Sequence, residues 1–114
     1  MTVTIRPLSA SFGAEAVGVS LAKPVSRSDF DAIYATFLAH CLIVFCDQSD
    51  LTVEQHLSFG GRFGRLETNL KAEKTLEGHP EILVLTNVKK DGVEIGTPLG
   101  GQFWHMVLIA KYFP

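Results

Sequence analysis

The chain has 114 residues, 46% hydrophobic, 10% aromatic and 19% charged, with 10 Lys+Arg against 12 Asp+Glu for a formal net charge of −2. This is a globular composition, enough for one domain that buries about two-thirds of its unfolded surface, and too apolar for intrinsic disorder. The near-neutral balance offers no electrostatic footprint for nucleic acid, and the longest apolar run, residues 41–46, falls far short of the about 20 residues a membrane helix needs.

The N-terminus shows no basic segment followed by an apolar stretch, so the expectation is a soluble cytoplasmic protein without a signal peptide. Residues 2–5 alternate polar and apolar, and residues 14–19 are apolar-rich with glycines at both ends. Two short strands are expected there, around the turn-prone segment 9–13. Ser26-Arg-Ser-Asp29 reads as a capping box ahead of Phe30, Ile33, Tyr34, Phe37 and Leu38, whose spacing defines one helical face. The spacing predicts a helix over 27–40. Residues 42–45, short and apolar throughout, suit a strand covered on both faces.

Thr52-Val-Glu-Gln55 gives a second capping box, and the helix it starts carries Leu57, Phe59 and Phe63 and is expected to end at Gly64. Gly60 and Gly61 inside it cost about 1 kcal/mol each relative to alanine, unless another backbone packs close there. Residues 82–88 read as a buried strand, Lys90-Asp91-Gly92 as a hairpin turn into 93–95, and 103–109 as a last apolar strand after a glycine loop. With no repeat or linker, the fold class is α+β. The apolar final dozen residues, with no following neighbour strand in the chain, make the fold look incomplete.

Individual side chains say little about chemistry. Cys41 and Cys46, five apart on a strand, face opposite ways and are expected to be small buried apolar residues rather than a disulfide or reactive thiols. His40 suits a helix C-terminus, His56 lies within the second helix, and His79 falls in a loop before Pro80. Glu15, Asp47, Asp50 and Glu54 sit near caps or turns and are expected to be solvated. No Ser/His/Asp arrangement, phosphate loop or Cys/His zinc cluster is present.

The ordered set of segments says more. Ile5-Arg-Pro-Leu8, Gly13-Ala-Glu-Ala-Val-Gly-Val19, Leu42-Ile-Val-Phe45-Cys-Asp-Gln48, Leu51-Thr-Val-Glu-Gln55, Arg62-Phe-Gly64, His79-Pro-Glu-Ile-Leu83 and Trp104-His105 occur in this order. The series resembles the taurine dioxygenase (TauD/TfdA) family of Fe(II)- and 2-oxoglutarate-dependent dioxygenases, over about residues 3–105. The resemblance implies the N-terminal portion of a double-stranded β-helix (jelly-roll) fold, with residues 1–114 a single partial domain and 106–114 departing from the family pattern. It implies Fe(II) and 2-oxoglutarate as cofactors and a small organic acid or sulfonate as substrate. In the family two iron ligands, a histidine and an aspartate, lie two apart on one strand, which aims both at one metal. His105 matches the histidine. Val107 stands at the aspartate position and has no donor atom.

The family's second histidine and the arginine that clamps 2-oxoglutarate belong to a C-terminal half outside these residues. A truncated chain that does not hold iron stably and is inactive alone is therefore expected. At the substrate positions of taurine-type enzymes this chain has Asn69 and Gly101, which points away from taurine. Two other readings remain open. One is a non-catalytic module that buries its apolar C-terminal strand in a homodimer. The other is half of a split enzyme, completed by a partner that brings the missing groups.

Overall fold

In the computed structural model, which describes residues 3–68 and 75–98, the alternating N-terminal residues become β1 (Thr4–Pro7), and the glycine-flanked segment becomes β2 (Ala14–Val17). The two pair antiparallel, with Thr4 opposite Val17 and Pro7 opposite Ala14. Ser9 organises the turn between them: its hydroxyl donates to the Phe12 carbonyl at 2.7 Å and accepts from the Phe12 N–H at 3.0 Å. Gly13 closes it with φ +82°, a left-handed conformation that favours glycine. β3 (Ile43–Phe45) pairs parallel with β2, and the intervening α1 (Arg27–His40) makes the crossover such a pairing requires.

The bounds of α1 are those the apolar spacing predicts. Ser26 caps it, its hydroxyl accepting the Asp29 N–H at 3.1 Å. The expected capping box is only half formed, because Asp29 faces elsewhere. Its carboxylate accepts the Val3 N–H at 3.0 Å and ties the entry of β1 to the first turn of α1. At the other end Cys41 takes a left-handed φ of 68°, and its N–H donates to the Phe37 carbonyl at 2.8 Å. Ile33 is fully buried, whereas Leu38, expected on the same face, is 57% exposed. The buried stripe is narrower than the apolar one.

Small residues on β2 explain how α1 packs on the sheet. Ala14 and Ala16 are buried, and Ala16 packs in one cluster with Ile33 of α1. Val3, Ala16 and Ile33 form the centre of the core, with Ile5, Val19, Val25, Ile43, Phe45, Phe59 and Phe63 packed around it. β3 lies at the edge of the three-stranded sheet among the described residues and is half-buried, not covered on both faces as expected. Cys41 and Cys46 flank it, and both are free and exposed, which corrects their expected burial.

α2 (Val53–Gly61) carries the capping box in full. The Thr52 hydroxyl accepts the Gln55 N–H at 3.2 Å, and the Gln55 side-chain oxygen accepts the Thr52 N–H at 2.9 Å. The helix stops at Gly61, three residues before the expected end. The Arg62 N–H turns back to the Phe59 carbonyl and the Phe63 N–H to that of Gly60, both at 3.1 Å. These bonds span three residues rather than four and tighten the final turn. A Cβ at Gly61 would meet nothing within 4 Å, so close backbone packing does not explain that glycine.

These elements make up the first of two compact units, Met1–Phe63; the second is Gly64–Pro114. Its described part holds two hairpins. β4 (Thr75–Leu76) pairs with β5 (His79–Leu83), and β6 (Lys89–Lys90) with β7 (Val93–Glu94). His79 thus opens a strand instead of lying in a loop. Asp91 and Gly92 both have positive φ, 52° and 77°, as a two-residue hairpin turn of the primed type demands. The strand expected over 82–88 ends at Leu83, and Leu85 and Val88 are exposed. Beyond it the Val84 carbonyl accepts the Thr97 N–H at 2.9 Å. A Cβ at the buried Gly96 would lie 2.7 Å from the Thr86 methyl, so the two segments meet this closely only over a glycine. The strand expected over 103–109 lies outside the described residues. Among the described residues no helix is long and apolar enough to cross a membrane.

Candidate functional site

Residues 19–25, between β2 and α1, form no regular element, yet four side-chain hydrogen bonds hold their backbone. Gln48, just past β3, accepts the Leu21 N–H at 2.8 Å and donates to the Val19 carbonyl at 2.9 Å and the Cys46 carbonyl at 2.8 Å. A primary amide can do this because it carries an acceptor and two donors at one end. Gln55, already half of the α2 capping box, donates to the Ala22 carbonyl at 3.0 Å. Arg62 Nη1 donates to the Val25 carbonyl at 2.8 Å, and its guanidinium carbon lies 4.2 Å from the centre of the Phe30 ring.

Two quoted motifs thereby acquire physical roles. The glutamine of Phe45-Cys-Asp-Gln48 is the clamp on the loop, and Asp47 before it turns the chain with φ 58°. In Arg62-Phe-Gly64, the arginine binds the loop end while Phe63 packs against Phe30, Tyr34, Phe37 and Phe59 at ring-centre distances of 5.0–6.0 Å. Sequence reasoning did not assign these roles. The available signal was the presence of polar residues inside otherwise apolar motifs.

A cleft of about 370 Å³ opens between this loop and α2, lined among others by Leu21, Lys23, Val25, Ser58, Phe59 and Arg62. A second, of about 260 Å³, lies over β2 and the end of β3 and includes Glu15, Cys46 and Gln48. Glu15 is not solvated as expected. It sits in β2, partly buried, with the Arg6 guanidinium on its carboxylate, the Arg6 Nε at 3.0 Å.

The hydrogen bonds from Arg6 and then from the Cys46 thiol hold the Glu15 carboxyl below its ordinary value of 4.5. The same contact, with the carboxylate charge, pushes the Cys46 thiol above its ordinary 9.0 and disfavours the nucleophilic thiolate. A carboxyl whose folded value is depressed contributes stability that is present above its unfolded value and lost as the pH falls through the folded one. Acid unfolding should therefore steepen below about pH 4.5. Glu15→Gln should flatten that acid limb, as read from urea midpoints against pH, by lowering the neutral-pH midpoint slightly while leaving the midpoint at low pH nearly unchanged. An unaltered acid limb in the variant would rule the pair out as its source.

His105, Val107, Asn69 and Gly101 all lie outside the described residues. His40 ends α1, His56 lies in α2, and His79 opens β5. Among the described residues no three His, Cys, Asp or Glu side chains converge so as to hold a metal ion. The described residues do not include His105, the position matching the family's iron-ligating histidine. What they build is a scaffold with a clamped loop.

Comparison with known proteins defines the class to which this scaffold belongs. A (S)-phenoxypropionate/alpha-ketoglutarate-dioxygenase of Sphingobium herbicidovorans is 39% identical over 88 residues, 77% of this chain. A solved taurine dioxygenase from Burkholderia xenovorans is similar over 70% of the chain, with 34% identity and a TM-score of 0.61. AAD-2, solved in complex with Mn(II) and N-oxalylglycine, is similar over 60% of the chain, with 32% identity and a TM-score of 0.56. The matched part spans only 26% of the first relative, 27% of the second and 26% of the third. The family described as taurine catabolism dioxygenase TauD, TfdA matches residues 4–110, and the chain belongs to it.

Proposed function

We propose that this chain forms the N-terminal part of a jelly-roll dioxygenase that couples 2-oxoglutarate and Fe(II) to the oxidation of a small organic acid. The observation that carries this reading is the family match over residues 4–110, with family motifs forming the clamped loop and the α1–α2 contact. On this reading the two units are parts of one partial domain and residues 106–114 depart from the family pattern. N-oxalylglycine, bound by AAD-2, has the 2-oxoglutarate skeleton with an N–H in place of a methylene, which supports 2-oxoglutarate as co-substrate. The phenoxypropionate relative favours an aryloxy acid over a sulfonate, as do Asn69 and Gly101 at the taurine positions. Cytoplasmic location belongs to the same proposal.

Catalysis by the 114 residues alone is not part of it. Of the expected facial triad of two histidines and a carboxylate, this chain supplies His105, while Val107 occupies the carboxylate position. A carboxylate, a second histidine and a co-substrate arginine must come from elsewhere. The test is succinate release from 2-oxoglutarate with Fe(II) and an aryloxypropionate, for the chain and for Val107→Asp. Neither is expected to release succinate above the iron-only background, because one added carboxylate leaves the set incomplete. Substrate-dependent succinate from either protein overturns the inactivity of the isolated chain.

A second reading, a non-catalytic homodimeric module or half of a split enzyme completed by another polypeptide, is favoured by exposed apolar side chains. Leu8 and Phe12 are each 54% exposed and Leu42 43%. Its measure is mass in solution by light scattering, and a concentration-independent monomer removes the homodimer.

A further inference from the structure

We infer that the cleft between the 21–25 loop and α2 binds a small organic anion, a monocarboxylate with an apolar body. Its lining includes Lys23 and Arg62 but no aspartate or glutamate, so an anion entering it meets two cations and no opposing charge from the walls. Lys23 has no acidic partner among the described residues. The Ser58 hydroxyl adds a donor, while Leu21, Val25 and Phe59 supply apolar wall. An apolar wall with a few convergent polar groups suits an amphiphilic acid better than a fully hydrated inorganic anion. The volume of about 370 Å³ lies within the range of small-molecule sites.

The cleft is also preformed. Arg62 is held over Phe30 while its Nη1 is engaged by Val25, and a guanidinium carries further N–H donors in a fork that matches a carboxylate. Gln48 and Gln55 hold the facing backbone at Leu21 and Ala22. A ligand entering between walls already fixed loses less ordering free energy on binding. The inference rests on the first unit alone and does not depend on the proposed oxygenase lineage.

The experiment is an amide NMR titration of the full chain with phenylacetate, with uncharged phenylacetamide as control. Saturable shifts are expected at the amides of 21–25 and at Ser58, with little response to phenylacetamide. Lys23→Ala should weaken phenylacetate about two- to fivefold, the scale of one exposed charge contact. Lys23 is exposed, and the variant's own amide spectrum reports whether the fold is intact. Non-saturating shifts, shifts centred away from this cleft, equal binding of the amide, or an unchanged affinity in a folded Lys23→Ala protein each overturn the inference.

Discussion

Ile33→Ala should destabilise the first unit by about 2–5 kcal/mol, the usual cost of removing three methyl or methylene groups from a close-packed site. Ile33 is fully buried on α1 and clusters with Val3 and Ala16, and the short Ala16 side chain has no length with which to fill the void. A unit of the size of Met1–Phe63, at about 0.05–0.15 kcal/mol per residue, has about 3–9 kcal/mol in all. The substitution therefore removes a large share of its stability. Urea unfolding followed by circular dichroism measures the effect. Ile33→Val, which removes a single methylene, should cost only about 0.5–1.5 kcal/mol and stay folded. Equal midpoints for wild type and Ile33→Ala would show that the core is not centred on this residue.

Gln48→Ala should have the next largest effect, about 2–3 kcal/mol. It removes three hydrogen bonds and leaves the N–H of Leu21, a residue only 9% exposed, without its partner. Each bond is modest in net terms, but an orphaned donor away from water costs about 1–3 kcal/mol. Hydrogen exchange at the Leu21 amide gives a local readout, and its protection should fall about 30- to 140-fold, since about 1.4 kcal/mol is a factor of ten. Gln48→Glu separates the parts of the clamp. It keeps an acceptor for Leu21 but loses both donors, and so should retain part of the Leu21 protection while freeing the Val19 carbonyl. Unchanged exchange in Gln48→Ala would mean that the loop is held by its own packing.

Much of the first unit is legible in its residues. α1 announces itself through Phe30, Ile33, Tyr34 and Phe37 at helical spacing and through Ser26 before them, so periodicity and capping point the same way. The Asp91-Gly92 turn is equally plain, because two successive positive φ angles leave few residue choices. Burial was harder to read. The apolar run over 41–46 suggests a strand between two neighbours, but whether a second neighbour exists depends on distant chain, and β3 is an edge strand among the described residues. The end of α2 depends on a switch to three-residue hydrogen bonds that no local pattern encodes. Of the candidate site, His105 and Val107 rest on resemblance alone. Gln48 and Arg62 were visible as motif letters, but their roles became clear only when the chain brought residues 19–25 beside them.

The side chains that fasten residues 19–25 grip only peptide carbonyls and one peptide N–H, groups nearly every amino acid supplies. The course of the segment is thus dictated from outside, by Gln48, Gln55 and Arg62. Mutational drift at Ser20, Ala22 and Lys23 can alter what the segment displays without altering its path, giving evolution a place to diversify chemistry on an unchanging frame.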